Sequence, residues 1–478
     1  MAQVTLMTRS GLLGLTVAAA VMVSAALAAQ EPTFPARATG VSTVALRQLF
    51  ADYWRWHLAN QPEDATRVGV HSFDDRWQDW SKTARAAARQ RRQEFLRNFQ
   101  YAGVGNLTNR ERMSLVLIQQ RLAAEASTEN LRLLSRLAPG GAHAEVFRVV
   151  RLMPTGSVSD YERLLARLRA LPAYVDQHIE VWSEQLADGM TQPASVVDRV
   201  VVEIEAQRRI TADRSPLLEA FRSFPASVPA AERARLEQAA GTAYAEQFVP
   251  AWERLGRFLR DTYRPRARPN PLGGQRPAGI EQYSALLGYY GAPAEPVDTL
   301  HEQAMADVAR LAQAVAGPNQ SGGVSAQVAA TAGGDDARAS VPEFRRHLRL
   351  PAFEDGWRVF AGPTTRLAFE TAVKAALDSG IHVRGWSHAE ALAFATTNLG
   401  GEAGDVVDIV ASTPARALAV FAGARKFAAL QQAARAKLGE RFDQRVFDRT
   451  VLDGGVLPLD LVELEIEELL KARPAGTP

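Results

Sequence analysis

Histidine and carboxylate side chains are the only strong metal ligands in this 478-residue chain, because it contains no cysteine. A helix-borne zinc site of the H-E-x-x-H type needs two imidazoles four residues apart on one helix face. None of the eight histidines has a partner at that spacing. His301-Glu302 resembles the start of such a motif, but Met305 stands where the second histidine is required. The histidine spacing therefore argues against a helix-borne zinc site.

Other chemistry has little support in the sequence. His382 and His388 lie six residues apart, and the absence of a carboxylate beside His382 favours a surface turn over a shared metal. Neither a G-x-S-x-G elbow nor a phosphate-binding G-x-x-x-x-G-K-[ST] loop is present. One adjacent carboxylate pair, Glu354-Asp355, precedes Gly356 inside an apolar helical pattern and is kept as a candidate.

The elements that would position these side chains are predicted to be helices. Apolar residues recur at three- and four-residue spacing from Leu46 onward, and no stretch alternates with period two. Ser159 with Glu162, and Ser387 with Glu390, have the spacing of capping boxes. Further helices are predicted at about 82–99, 109–126, 159–186 with a bend at Pro172, 195–210, 230–262, 281–290, 297–316, 341–377, 387–398, 414–438 and 457–471. The predicted fold class is all-α, a large multi-helix single domain over 44–472.

The first residues have the features of a secretory signal peptide. Arg9 precedes an apolar run over 11–25, and a small-x-small cleavage site follows at 26–28. We therefore expect a signal peptide over 1–28, a flexible leader over 29–43 and a periplasmic or secreted protein, with an uncleaved anchor as the alternative. The absence of cysteine argues against lipidation. A Gly/Ser/Ala-rich loop over 317–340 is predicted to be disordered, and residues 473–478 are predicted to form a tail after the helical domain.

Charge and hydropathy limit the partners. The formal net charge is only +2, which gives no electrostatic reason to expect nucleic acid or an anionic membrane. No segment after the signal peptide is apolar enough to span a bilayer.

A series of segments spread along the chain can be matched to one family. They lie at 50–56, 61–66, 73–76, 161–171, 249–252, 279–283, 378–382, 385–387 and 457–460. Together they resemble the large bacterial family called domain of unknown function 885, which is grouped with zinc-dependent peptidases. The resemblance implies a zincin-like relative and, for intact members, a bound zinc ion.

The family's metal-binding residues are the part that this sequence lacks. By analogy with zincins, an H-E-x-x-P-G-H-H segment would supply histidine ligands and a general-base Glu, but the Gly/Ser/Ala-rich loop stands in its place here. A second motif, E-G-W-A-L-Y-A-E, resembles 354–362, with Asp355 in place of the ligand Glu and Gly362 in place of the later Glu. A third, P-G-Q-A-L-A-Y-K, resembles 414–421, with Ala415 for Gly and Val420 for Tyr.

Two hypotheses follow. The first is a catalytically inactive, exported homologue of a zinc peptidase with no cofactor, which binds a peptide or a protein partner. Its remnant of the family site would comprise Asp355, Gly356, Trp357 and His382. The second is an active periplasmic peptide hydrolase with a non-standard site. The sequence leaves open the substrate, the oligomeric state and whether the missing segment is an evolved loss or a truncated gene.

Overall fold

The computed structural model describes residues 43–102, 105, 107–130, 137–268, 279–315, 348–362 and 364–472. The predicted signal peptide, the loop over 317–340 and the tail over 473–478 lie outside these residues, as does the leader apart from Thr43.

The described part of the chain is helical throughout and contains no strand, as predicted. In chain order, the helices are α1 (Val44–Asn60), α2 (Pro62–Arg67), α3 (Lys82–Gln100), α4 (Asn109–Asn130), α5 (Ala142–Val150), α6 (Val158–Arg169), α7 (Leu171–Ala187), α8 (Ala194–Arg208), α9 (Ala230–Ala243), α10 (Val249–Arg257), α11 (Gly279–Tyr289), α12 (Val297–Val315), α13 (Pro351–Ala361), α14 (Thr365–His382), α15 (His388–Leu399), α16 (Ala403–Ser412), α17 (Arg416–Leu438), α18 (Gln444–Asp453) and α19 (Leu459–Ala472). Within the same residues, no single helix is long and apolar enough to cross a bilayer.

A first hydrophobic core is formed by the helices before residue 131 together with those after residue 278. Helix α1 buries Leu46, Phe50 and Leu58 on the face that the apolar spacing predicted. Helix α13 packs closely on α17, where Gly356 meets the backbone of Gly423. Glycine at both positions allows the two backbones to approach, so this helix pair is fixed rigidly relative to each other.

A second hydrophobic core is formed by the intervening helices α5 to α10. Leu164, Leu165 and Leu168 of α6 contribute to it, and Trp252 of α10 is fully buried there. Helix α8 joins the two cores, because its Val196 belongs to the first and the residues that follow belong to the second. The single-domain organisation over 44–472 stays a prediction.

The predicted helix at 159–186 is wrong in its start and its continuity. The capping box is formed by Ser157 and Asp160: the Ser157 Oγ accepts from the Asp160 N–H and the Asp160 carboxylate accepts from the Ser157 N–H. The chain then divides into α6 and α7 at Ala170 instead of bending. Pro172 causes the division, since it has no N–H to donate and lies in the first turn of α7, where none is needed.

Two further predictions of helix boundaries need correction. The helix at 230–262 contains two π-helical segments, Tyr244–Phe248 and Phe258–Tyr263. The helix at 341–377 is interrupted at Gly362, which is extended because it precedes a proline in the sequence. The capping box of Ser387 and Glu390 at the start of α15 is confirmed.

Candidate functional site

A cavity of about 480 Å³ lies where α1, α4, α11, α13 and the start of α17 meet. Its described lining contains four aromatic rings, one imidazole and equal numbers of arginines and carboxylates. The charged members are Arg121, Arg349, Arg358, Arg416, Asp64, Glu125, Glu354 and Asp355. A pocket with both signs of charge and aromatic walls suits a small ligand that also carries both charges.

The wall from α4 is organised around Arg121. Its Nε donates to Glu125 Oε1 at 2.7 Å and its Nη2 donates to the Tyr289 hydroxyl at 3.1 Å. The guanidinium carbon lies 4.4 Å from the centre of the Tyr289 ring. Burial opposes ionisation of Glu125, but Arg121 and Arg92 outweigh it and hold the pKa of that carboxyl below its usual range. This wall is therefore an ionised pair held in fixed geometry.

His57 from α1 forms a neutral part of the lining. Its ring is stacked on Trp54, with centroids 5.3 Å apart and an interplanar angle of 13°. Its Nε2 lies 3.7 Å from Asp64 Oδ2. Burial lowers the pKa of His57 and exceeds the opposing effect of Asp64, so the imidazole is neutral at neutral pH.

The facing wall comes from α13 and carries the adjacent carboxylates. Glu354 Oε1 accepts from Arg349 at 2.9 Å, and burial raises the pKa of Glu354 despite that contact. Asp355 lies between two arginines, at 3.0 Å from Arg358 and 3.5 Å from Arg416. A carboxylate already neutralised by two cations is a poor ligand for a metal ion, since the cations repel the ion.

The start of α17, which carries Arg416, is positioned by Asp378 from α14. Its Oδ1 accepts the Ala415 N–H at 2.9 Å, and its Oδ2 accepts the N–H groups of Ala417 and Leu418 at 2.9 and 3.1 Å. Ala415 has a left-handed φ of 67°, at the position where the family motif has glycine. The buried carboxylate satisfies three otherwise unpaired donors and thereby fixes where Arg416 enters the cavity.

Of the four residues predicted as a remnant of the family site, only Asp355 lines the cavity. Gly356 packs against α17, where an added Cβ would lie 3.0 Å from backbone atoms of Gly423. Trp357 packs edge-on against Phe427 at 5.1 Å. His382 is buried, and its Nε2 donates to the carbonyl of Val410 at 3.1 Å. Three of the four side chains therefore pack outside the cavity lining, and the assignment of the four as a remnant of the family site stays a prediction.

Sequence reasoning missed most of the lining. His57, Arg121, Tyr290 and Arg416 all line the cavity but are not among the predicted site residues. Their one local signal is the four-residue spacing of Arg121 and Glu125, which is common on exposed helix faces. Only the packing of distant helices shows that these side chains meet.

The structure holds no candidate metal centre among the residues it describes: no three histidine or carboxylate side chains lie close enough to hold an ion. The predicted absence of zinc stays a prediction.

One known family matches most of the chain in sequence. The profile of the family described as bacterial protein of unknown function (DUF885) matches residues 62–354 and 335–466. The chain belongs to this family. No curated protein matches the DUF885 chain in sequence.

Two solved structures are similar to this DUF885 chain. A candidate lipoprotein from Colwellia psychrerythraea has 14% identity and a TM-score of 0.78, with 91% of this chain and 100% of that one covered. A candidate lipoprotein of unknown function from Shewanella oneidensis has 13% identity and a TM-score of 0.60, with 88% and 99% covered. At this identity the likeness shows the fold alone.

Proposed function

We propose that this DUF885 protein is an exported binding protein that holds short peptides in the cavity and lacks zinc-dependent catalysis. The observation that carries the proposal is the cavity of about 480 Å³ with arginines and carboxylates in equal number. A short peptide has a charge of each sign at its ends and a polar backbone between them. The aromatic rings of Tyr53, Trp54 and Tyr289 offer apolar surface to its side chains.

The proposed lack of zinc chemistry rests on the sequence and on the partners of Asp355. A catalytic zinc ion needs about three protein ligands and an open position for water. The sequence contains no H-E-x-x-P-G-H-H segment. The carboxylate that stands at the family's ligand position is paired with Arg358 and Arg416 instead.

Export is proposed from the signal-peptide pattern over 1–28. The description of the two similar structures as candidate lipoproteins supports it, because lipoproteins are exported. Lipid attachment is not part of the proposal, since the sequence offers no cysteine for it.

A second candidate function is peptide hydrolysis by a non-standard site, and Glu354 is the observation that favours it. Burial raises the pKa of this cavity carboxyl, and a raised pKa suits a general acid or base. This candidate predicts hydrolysis that Glu354→Gln abolishes and that a chelator leaves unchanged.

Two measurements test these functions. Calorimetric titration with a set of short peptides measures binding, and mass spectrometry of the same mixtures after incubation detects cleavage. We expect binding with no cleavage and no effect of EDTA. Asp355→Ala should leave the mixtures uncleaved, as should the control Asp298→Ala, whose carboxylate pairs with Arg384 outside the cavity lining. Cleavage that EDTA stops, zinc restores and Asp355→Ala abolishes would overturn the proposal, as would failure of every peptide to bind.

A further inference from the structure

One guanidinium of the cavity has unused hydrogen-bonding capacity. Arg121 uses Nε for Glu125 and Nη2 for Tyr289, whereas its buried Nη1 has no hydrogen-bond partner among the described residues. An unpaired donor in a buried position is costly, so such a group favours a ligand that supplies an acceptor. The planar fork of arginine can present two N–H groups to one carboxylate.

A tyrosine hydroxyl without a hydrogen-bond partner in the described part of the chain belongs to the lining of the same cavity. Tyr290 follows the end of α11 and lines the cavity, and its hydroxyl forms no hydrogen bond within the described part of the chain. Both Arg416 and Arg121 act electrostatically on this hydroxyl and favour its ionised form, although burial dominates and raises the pKa of Tyr290. The hydroxyl is therefore a protonated donor close to two positive charges.

The second guanidinium is placed by the framework but only loosely paired. Arg416 is the first residue of α17, where Asp378 fixes the backbone. Its side chain is about half exposed at 51%, and its contact with Asp355 is 3.5 Å long. A surface pair of this kind contributes little free energy, so Arg416 can turn to a stronger partner at small cost.

We propose that Arg121, Tyr290 and Arg416 form an anion subsite that receives the free carboxylate of the bound ligand. This proposal rests on the proposed function. It identifies the C-terminal carboxylate of a short peptide as the ligand group that decides the affinity. A singly charged anion fits better than a doubly charged phosphate, because Glu125 and Asp355 already place two negative charges beside the arginines.

Trialanine and trialanine amide are the probes, since they differ only in the group that the subsite would hold. Calorimetry should show that the amide binds the wild-type protein at least about tenfold more weakly, the usual effect of losing charge-assisted hydrogen bonds. Tyr290→Phe and Arg416→Gln should each weaken binding of the acid and leave binding of the amide unchanged. Arg425→Gln, on the same helix but paired with Asp307 outside the cavity lining, is the matched control and should change neither.

Folding is not a confounding factor for the first variant. Tyr290→Phe removes only a hydroxyl that has no partner in the described part of the chain, so its thermal transition should match that of the wild type. Succinate and inorganic phosphate, added as competitors, distinguish the sources of a bound anion.

The outcomes separate the subsite from the function it rests on. Equal binding of acid and amide, unchanged in both variants, would reject the subsite and leave peptide binding intact. Binding of succinate that Tyr290→Phe weakens, with no binding of trialanine, would support the subsite and reject the peptide. Stronger binding of phosphate than of succinate would overturn the preference for a singly charged group. No binding of any probe would reject both proposals.

Discussion

Arg167 is a buried charge of α6 that binds residues in α2 and in the segment after it, and its removal is the most decisive test of the fold. The side chain is fully buried on α6. Its Nε donates to the Arg76 carbonyl at 2.9 Å, its Nη1 to the Thr66 hydroxyl at 2.8 Å and its Nη2 to the Phe73 carbonyl at 3.1 Å. It also lies 3.7 Å from the buried carboxylate of Asp74.

The cost of replacing Arg167 with methionine can be worked out from these contacts. Methionine fills much of the space of the arginine stem but donates no hydrogen bond, so the carbonyl groups of Pro62, Phe73 and Arg76 each lose a buried donor. Asp74 loses its buried cation, and removal of one partner of a buried ion pair costs about 3–5 kcal/mol. The guanidinium contact with the Trp77 ring, at 5.0 Å from its centre, is lost as well. We expect Arg167→Met to lower the free energy of unfolding by about 3–5 kcal/mol.

Urea unfolding followed by tryptophan fluorescence and circular dichroism measures this loss. The matched control is Arg163→Met, one turn earlier on α6, where the arginine is 37% exposed and paired with Asp160. That variant should lose less than about 1 kcal/mol. Adding Asp74→Asn to Arg167→Met should recover part of the loss, because the Asp74 carboxylate keeps, among the described residues, only His71 and the Thr66 hydroxyl as partners once the guanidinium is gone. A loss below about 1 kcal/mol for Arg167→Met itself would refute the reasoning, because breaking a buried ion pair costs several times that.

Two further predictions concern His57 in the cavity lining and Gly380 in a segment that carries the family resemblance. Burial lowers the pKa of His57, so the residue stabilises the fold fully above the unfolded pKa of about 6.5 and less as the pH falls below it. Between pH 7.5 and 5.5, the urea midpoint of His57→Gln should therefore fall less than that of the wild type. Equal falls in the two midpoints would contradict this. Gly380→Ala would place a Cβ 2.5 Å from the Trp386 ring and should cost about 1–3 kcal/mol in urea unfolding. Gly241→Ala, with no atom within 4 Å of the added Cβ, should instead stabilise by about 0.5–1 kcal/mol, and equal effects at the two positions would refute the packing argument.

The helices were predictable because their signals are local. Apolar spacing placed α1, and serine and glutamate three residues apart placed the start of α15. The errors arose where two local signals compete. Ser159 with Glu162 fits a capping box as well as Ser157 with Asp160, and only the extended backbone of Ser157 decides between them.

The cavity was not predictable for a different reason. Arg121 and Tyr290 are separated by more than 160 residues along the chain. Each charged residue, taken alone, fits a solvated helix face, so the sequence offers no reason to group them. Glu354 and Asp355 are the exceptions, because they are adjacent carboxylates inside an apolar helical pattern and also match a motif of the family that the sequence resembles.

The segments that carry the family resemblance stabilise the fold, whereas the side chains of the cavity face the proposed ligand. Family membership therefore implies the fold and not the chemistry of the cavity. Arg167, Asp378 and Gly380 lie in segments that carry the resemblance, and each is buried or in close contact with another helix. Substitutions at such positions act on folding, whatever chemistry the cavity performs. The side chains that face the cavity can change at little cost to the framework. The activity of this chain should therefore be argued from residues that line the cavity, such as Asp355 and Arg416, which contact each other.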